Sequence, residues 1–235
     1  MRLFLLQKVT TLVAITKIDS VDGSNSIDES LFALIAQDIQ ERGYSIRPTA
    51  LPEGLANTLY NHQQALEVDK FNDAGIGRGG EYLKNEFVRT DAISWITNDS
   101  DACCDWLNWT GNLQTFLNRR LFLGLFSFES HFAHYGPGDY YKRHYDAFRG
   151  ESNRVLSVVV YFNTNWAPND GGELVLYQNE HDKEGTKVVP LLGTIVTFLS
   201  EEFPHEVLAA KRDRYSIAGW FRVNTSVSDR VDPPL

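Results

Sequence analysis

The sequence predicts an α+β fold in which amino-terminal helices support a carboxy-terminal β structure. Two observations carry this reading. From residue 122 the hydrophobic period changes from helical to extended. Beyond that point the run VLSVVVYF, residues 155–162, is apolar almost throughout, as expected of a strand covered on both faces.

The opening MRLFLLQKVTTLVAI is apolar, but Gln7 and Lys8 interrupt it and no A-x-A-like cleavage site follows. A β-strand or an irregular amino terminus is expected there rather than a signal peptide. Ser26 followed by Glu29 forms an S-x-x-E capping box ahead of FALIAQDIQ, and Gly43 can end that helix near residue 42. A second helical stretch, LANTLYNHQQALEV, has Pro52 near its start, where a missing N–H costs little. The third, around CDWLNWTGNLQTFLNRR, places Trp106, Trp109, Leu113 and Leu117 at helical spacing, a packing stripe rather than a binding platform. FSFESHFAHY, RVLSVVVYFN, GELVLY, KVVPLLGTIVTFLS and RYSIAGWFRV follow, rich in β-branched and aromatic residues and separated by Gly, Asn, Asp and Pro. With no internal repeat or obvious linker, the 235 residues are expected to form one domain, 1–235. Its parts are mainly helical support over 24–122 and a β core over 123–225.

Composition narrows the function classes. Hydrophobic residues make up 43% of the chain, with 14 Phe, 10 Tyr and 5 Trp, so it is not a disordered sequence. A net charge of −9 argues against a nucleic-acid partner. Cys103 and Cys104 are adjacent, which suits neither a disulfide framework nor a paired CxxC zinc site and points to a reducing cytoplasm. No stretch approaches the roughly 20 apolar residues of a membrane span. GIGRGG, residues 75–80, matches G-x-G-x-x-G, yet the preceding DKFNDA is polar and no βαβ unit follows. Residues 70–88 therefore read as a mobile loop rather than a nucleotide site.

The chemistry concentrates later. His144 and Asp146 in YYKRHYDAF are two apart and share a face if the segment is a strand. His205, in EEFPHEV, opens another extended segment. Two histidines and one carboxylate can hold one face of an octahedral iron(II) and leave the opposite face open. Arg214 begins the apolar RYSIAGWF, and a guanidinium entering a β core requires an anionic partner, for which a dicarboxylate would serve. Val159 and Tyr161 share one strand face, as do Arg214, Ser216, Ala218 and Trp220. In SHFAH, His131 and His134 point to opposite faces of a strand, so they are no metal pair; His131 shares parity with Tyr135 and suits a pocket wall. His62 and His181 are expected on the solvated surface.

Taken in order, AHYGPGDYYKRHYD, VVVYFNTNW, GGELVLY, FPHEV and RYSIAGWF resemble the iron(II)- and 2-oxoglutarate-dependent oxygenases, and among them the prolyl hydroxylases related to the hypoxia-inducible-factor hydroxylases. The resemblance covers roughly residues 26–223. It implies a double-stranded β-helix, the jelly-roll or cupin-like core, with helices supporting it. It implies His144, Asp146 and His205 as iron ligands, catalytic together with Arg214, which would hold the far carboxylate of 2-oxoglutarate. Tyr161 matches a tyrosine that assists that arginine, Tyr135 and Tyr141 match pocket tyrosines near the metal end, and Trp220 an aromatic at the pocket wall. Val159 and Leu174 would be apolar lining. VRTDAISWI, residues 88–96, resembles the segment after the family's substrate loop, which makes 70–88 that loop. Ala218 stands where eukaryotic relatives tend to carry threonine, and their turn before the HxD pair is slightly longer.

The implied reaction is oxidative decarboxylation of 2-oxoglutarate to succinate and CO2, coupled through iron(II) and O2 to hydroxylation of a C–H bond, with ascorbate as an auxiliary reductant. The implied substrate is a prolyl residue in an exposed loop of a protein, with elongation factor Tu a candidate. A cytoplasmic monomer with no nucleic-acid or membrane partner is expected. Rival readings are hydroxylation of a free amino acid or other small molecule, a zinc hydrolase, a non-catalytic cupin-like metal-binding module, and DNA demethylation, which the acidic balance disfavours.

Overall fold

The structure, a computed structural model, describes residues 23–66, 71–73, 89–147 and 153–224. Along the chain these form α1 (Gly23–Arg42), β1 (Tyr44–Arg47), α2 (Glu53–Ala65), β2 (Asn72–Asp73), β3 (Ala92–Trp95) and α3 (Asp101–Leu121). The strands β4 (Leu125–Tyr135), β5 (Tyr141–His144), β6 (Arg154–Tyr161) and β7 (Leu174–Leu176) follow. The chain continues through β8 (Thr186–Val188), β9 (Ile195–Leu199), β10 (His205–Val207) and β11 (Arg214–Val223). The opening MRLFLLQKVTTLVAI and most of the expected loop 70–88 lie outside the described residues.

Helix α1 stops at a glycine, and α2 and α3 start where the sequence favours a start. At the end of α1, Gly43 adopts φ +83° and its N–H donates to the Ile39 carbonyl at 3.0 Å, closing the last turn. The start departs from expectation: α1 begins at Gly23, so Ser26 lies within the helix and not at its cap. A capping box marks where a helix can begin, and no proline in Gly23–Asn25 blocks an earlier start. Helix α2 begins directly after Pro52 and ends at Ala65. Helix α3 begins at Ser100, whose hydroxyl accepts the Cys103 N–H at 3.2 Å.

All pairings between named strands are antiparallel and build two sheets. The larger has the order β1-β9-β6-β11-β4-β3-β2, and the smaller β5-β10-β7-β8. Both contribute to a single apolar cluster, with Val158, Val160 and Ile195 from one and Leu174, Leu176 and Val207 from the other. The expected run KVVPLLGTIVTFLS divides into β8 and β9, because Pro190 between them has no N–H for a ladder. The larger sheet also recruits β1, β2 and β3 from the chain before residue 122. These are strands of four residues or fewer, too short to declare a period in sequence.

Helix α3 packs on β4 and is flanked by α1 and α2, while α1 also covers β1 and β9. Its buried stripe of Cys103, Trp106, Trp109, Thr110, Leu113 and Leu117 follows the expected spacing. Trp106 is fully buried, stacks on Trp109 at 5.7 Å, meets Phe128 edge-on and donates Nε1–H to Ser130 Oγ at 3.1 Å. With one face of the sheet sealed by helices, β6, β11 and β4 turn their other face toward the smaller sheet. Among the described residues no helix is long and apolar enough to cross a membrane.

Because Trp106 joins the helical layer to the sheet, Trp106→Ala is expected to lower unfolding free energy by about 3–5 kcal/mol. Urea denaturation followed by circular dichroism measures this. A loss under about 1 kcal/mol would show that the helices do not support the sheet.

Candidate active site

Strands β5 and β10 pair so that His205 sits directly opposite His144. Residues directly opposed in an antiparallel pair share a face, so both imidazoles project to one side. Asp146 reaches the same place by another route than strand alternation. Strand β5 ends at His144, and the chain bends before Asp146. His144 Nε2 lies 3.5 Å from Asp146 Oδ1 and His205 Nε2 lies 3.7 Å from Asp146 Oδ2. One ligand atom from each of the three residues falls within 4.8 Å of the others.

Local contacts orient each group. His144 Nδ1 lies 2.8 Å from the Lys142 carbonyl and His205 Nδ1 lies 3.2 Å from the Phe203 carbonyl. A carbonyl only accepts, so Nδ1 carries a proton in both rings and Nε2 is the nitrogen turned toward Asp146. Tyr141 stacks flat on His144 at 3.6 Å, and Phe198 meets His205 edge-on at 4.7 Å. Burial lowers His205 to about 4, so it is neutral at neutral pH. Burial opposes ionisation of Asp146, but the pull of His205 and His144 and a hydrogen bond from Ser157 outweigh it and hold the carboxyl below the usual range. Two imidazoles and one carboxylate are the donor set a divalent first-row metal requires.

The second centre lies on the larger sheet, along the face of β6 and β11 whose Ser157 contacts Asp146. Register pairs Ser216, Ala218 and Trp220 of β11 with Tyr161, Val159 and Ser157 of β6. Ser157 contacts Asp146, and Tyr161 lies by Arg214 at the other end. Arg214 is 1% exposed. Its Nε donates to the Gly172 carbonyl at 2.8 Å and its Nη1 to Ser216 Oγ at 3.3 Å. The guanidinium lies 4.8 Å from the Tyr135 ring centroid and 5.1 Å from that of Tyr161. No carboxylate among the described residues pairs with it. The buried Tyr161 hydroxyl beside it has no hydrogen-bond partner among the described residues. Burial, against the pull of Arg214, raises that phenol to about 12, so it remains a donor. Gly172 keeps this end open: at φ +71° a Cβ would come within 3.2 Å of Arg214 Cδ and 3.1 Å of Trp166.

The remaining expected residues fall around these two ends. Tyr141 adjoins the His–Asp–His group as expected. Tyr135 is paired with Arg214 across β4 and β11, with its ring 4.8 Å from the guanidinium. Leu174, opposite Val207, faces the same side as His205, and Val159 is partly buried on the β6 face. Trp220 lies under the Arg154 guanidinium at 3.7 Å and beside His131 at 5.5 Å. Burial lowers His131 to about 4, so its ring is uncharged at neutral pH. On the opposite face His134 bonds Asp213 at 2.8 Å. His62 is not a solvated surface residue: it is half-buried, 5.6 Å from the Phe132 ring and 3.7 Å from Cys103 Sγ. The α2–α3 packing pulls it inward.

Sequence reasoning missed three features. Ser157 is a polar break in VLSVVVYF sharing parity with Val159 and Tyr161, a signal available in the run itself. Arg89 clasps buried Asp91 through two bonds of 2.7 and 2.6 Å and lies 4.5 Å above Tyr141. No local pattern announces that clasp or the role of Gly172, since both depend on distant strands meeting.

Comparisons with known proteins agree with this geometry. A family model described as the 2OG-Fe(II) oxygenase superfamily matches residues 130–222. A prolyl-4-hydroxylase from Pseudomonas putida is 37% identical, with a TM-score of 0.72 over 82% of this chain and 98% of that one. A prolyl hydroxylase from Trichoplax adhaerens, solved in complex with a hypoxia inducible factor oxygen degradation domain peptide fragment, is 26% identical. It has a TM-score of 0.72 over 86% of this chain and 94% of that one. A viral collagen prolyl hydroxylase from Paramecium Bursaria Chlorella virus-1, 19% identical with a TM-score of 0.53 over 78% of this chain and 97% of that one, shares the fold alone. The two antiparallel sheets are thus the double-stranded β-helix of these enzymes. With its His–Asp–His group on that scaffold, the chain belongs to the 2OG-Fe(II) oxygenase superfamily, among the enzymes of prolyl-hydroxylase type.

Proposed function

We propose that this enzyme hydroxylates a prolyl residue of a protein substrate, using iron(II) held by His144, Asp146 and His205 and 2-oxoglutarate anchored by Arg214. The observation that carries the reading is the buried Arg214 guanidinium, facing no carboxylate among the described residues, on the β6–β11 face whose other end, Ser157, contacts Asp146 of the His–Asp–His group. Bound iron(II), 2-oxoglutarate and O2 supply the oxidising chemistry and release succinate and CO2.

The protein's share is positioning. Arg214 and the Tyr161 hydroxyl bind the distal carboxylate, with Tyr135 closing the guanidinium's other side. Val159 and Leu174 exclude water between the two ends, which strengthens every charge interaction inside. Tyr141 holds the His144 ring plane. Trp220 walls the pocket, and Trp95, 52% exposed and edge-on to His131, extends an aromatic surface outward where a polypeptide could lie. A single domain of this kind would present that surface directly to its substrate. Similarity to the Pseudomonas putida and Trichoplax adhaerens enzymes supports a prolyl target, with elongation factor Tu a candidate substrate and ascorbate the auxiliary reductant. The free cysteines Cys103 and Cys104 suit a cytoplasmic setting.

The substrate reading is tested by incubating the protein with iron(II), 2-oxoglutarate and ascorbate alongside elongation factor Tu, proline-containing peptides and free proline, followed by mass spectrometry. A gain of one oxygen atom on a prolyl residue of a protein or peptide is expected. Oxygen gained by free proline alone would replace the protein substrate with a small molecule. In the same assay Arg214→Gln is expected to raise the KM for 2-oxoglutarate at least about 30-fold, the equivalent of ~2 kcal/mol for losing one partner of a buried charge pair. An unchanged KM would remove Arg214 from the site.

A further inference from the structure

We infer that Ser157, backed by Ser200, is a positioning residue that confines Asp146 to one-oxygen ligation, occupying Oδ2 so that Oδ1 alone is presented to the metal. This rests on the reading of His144, Asp146 and His205 as an iron(II) site. Ser157 Oγ lies 2.6 Å from Asp146 Oδ2 and 2.9 Å from Ser200 Oγ. Both serines are within 1% of complete burial. On its own face Ser157 is opposed by two aromatic residues, Phe198 across β6 and β9 and Trp220 across β6 and β11. Ser200 is fixed in place because its own N–H donates to the Val155 carbonyl at 3.0 Å.

The direction of the two bonds follows from counting protons. An ionised carboxylate can only accept, so Ser157 must spend its single hydroxyl proton on Asp146. The bond between the serines must then use the proton of Ser200. The chain Ser200 to Ser157 to Asp146 is therefore one-directional, and each bond polarises the next in surroundings of low dielectric.

The consequence concerns coordination number. Three protein ligands, two oxygens of a chelating 2-oxo acid and one position for O2 make six, the whole of an octahedral shell. A carboxylate binding through both oxygens would take the position that O2 needs. Asp146 lies beyond the end of β5, in a bend and not in a ladder, so its carboxylate depends on side-chain contacts for its orientation. A serine hydroxyl on Oδ2 supplies that restraint at the atom where two-oxygen ligation would begin. Outer contacts of this kind typically change metal affinity by about 10–100-fold.

Mn(II) titration followed by electron paramagnetic resonance of the free ion tests this without turnover. Wild type, Ser157→Ala, Ser157→Thr, Ser200→Ala and Asp146→Ala are compared after thermal melts establish that each folds. Ser157→Ala is expected to weaken Mn(II) binding by about 10–100-fold and to change the line shape of the bound ion, with Ser157→Thr restoring both. Ser200→Ala, which keeps the Asp146 contact but removes its support, is expected to weaken binding by a few-fold, and it carries the test if Ser157→Ala does not fold. Wild-type affinity and line shape in Ser157→Ala, or in Ser200→Ala where that variant stands in, overturn the positioning role while leaving the iron site intact. Binding that is absent from the wild type, or unaffected by Asp146→Ala, overturns the iron site itself and the inference with it.

Discussion

The site is organised around a buried positive charge. Leaving a guanidinium such as Arg214 in the core with no carboxylate beside it costs several kcal/mol unless something anionic arrives. The fold supports it meanwhile with the Gly172 carbonyl, the Ser216 hydroxyl and two tyrosine faces, all neutral. Neutral contacts keep the charge in place without satisfying it, which is the arrangement of a receptor for an anion and not of a structural ion pair. The structural pairs nearby look different: Arg154 meets Glu129 at 2.8 Å, and Arg89 meets Asp91 at 2.6 Å.

Antiparallel register sets that charge within the candidate active site. Because β11 lies between β4 and β6, Arg214 is set against Tyr135 on one side, and two residues farther along β11 Ser216 is set against Tyr161 on the other. Four residues back along β6 the same face presents Ser157 to Asp146. Strand geometry thus sets Arg214 and Tyr161 at one end of a rigid face and Ser157, against Asp146, at the other. The second sheet closes over it, and its β5–β10 pairing brings the two histidines opposite each other. Helix α3 contributes from behind, sealing the reverse face with Trp106 and Leu113.

Much of this was legible in sequence because it is local. The apolar stripe of α3, the β-rich second half and the HxD pair are patterns within ten or twenty residues, and parity alone placed Val159 with Tyr161 and Arg214 with Trp220. What could not be read depends on pairing between distant strands. The tetrapeptides YSIR and AISW carry no period, yet they join the larger sheet beside β9 and β4. The pairing of Tyr135 with Arg214 is decided by the register of β4 against β11, which no spacing along the chain expresses. Asp146 reached its expected place through a bend after His144, so strand alternation named the right neighbours through the wrong geometry. Ser157 was hidden by its surroundings, since one serine in an apolar run reads as a tolerated defect until Asp146 is seen against it.

The central claim is that one face of the β core binds a metal at one end and the distal carboxylate of 2-oxoglutarate at the other. Anaerobic titration of iron(II) and 2-oxoglutarate into the metal-free protein, followed by visible absorption, tests it most directly. A charge-transfer band that needs both components, disappears in Asp146→Ala and demands much more 2-oxoglutarate in Arg214→Ala is the predicted result. Iron binding without any band on adding 2-oxoglutarate would contradict the account, because the buried guanidinium would then serve some other anion.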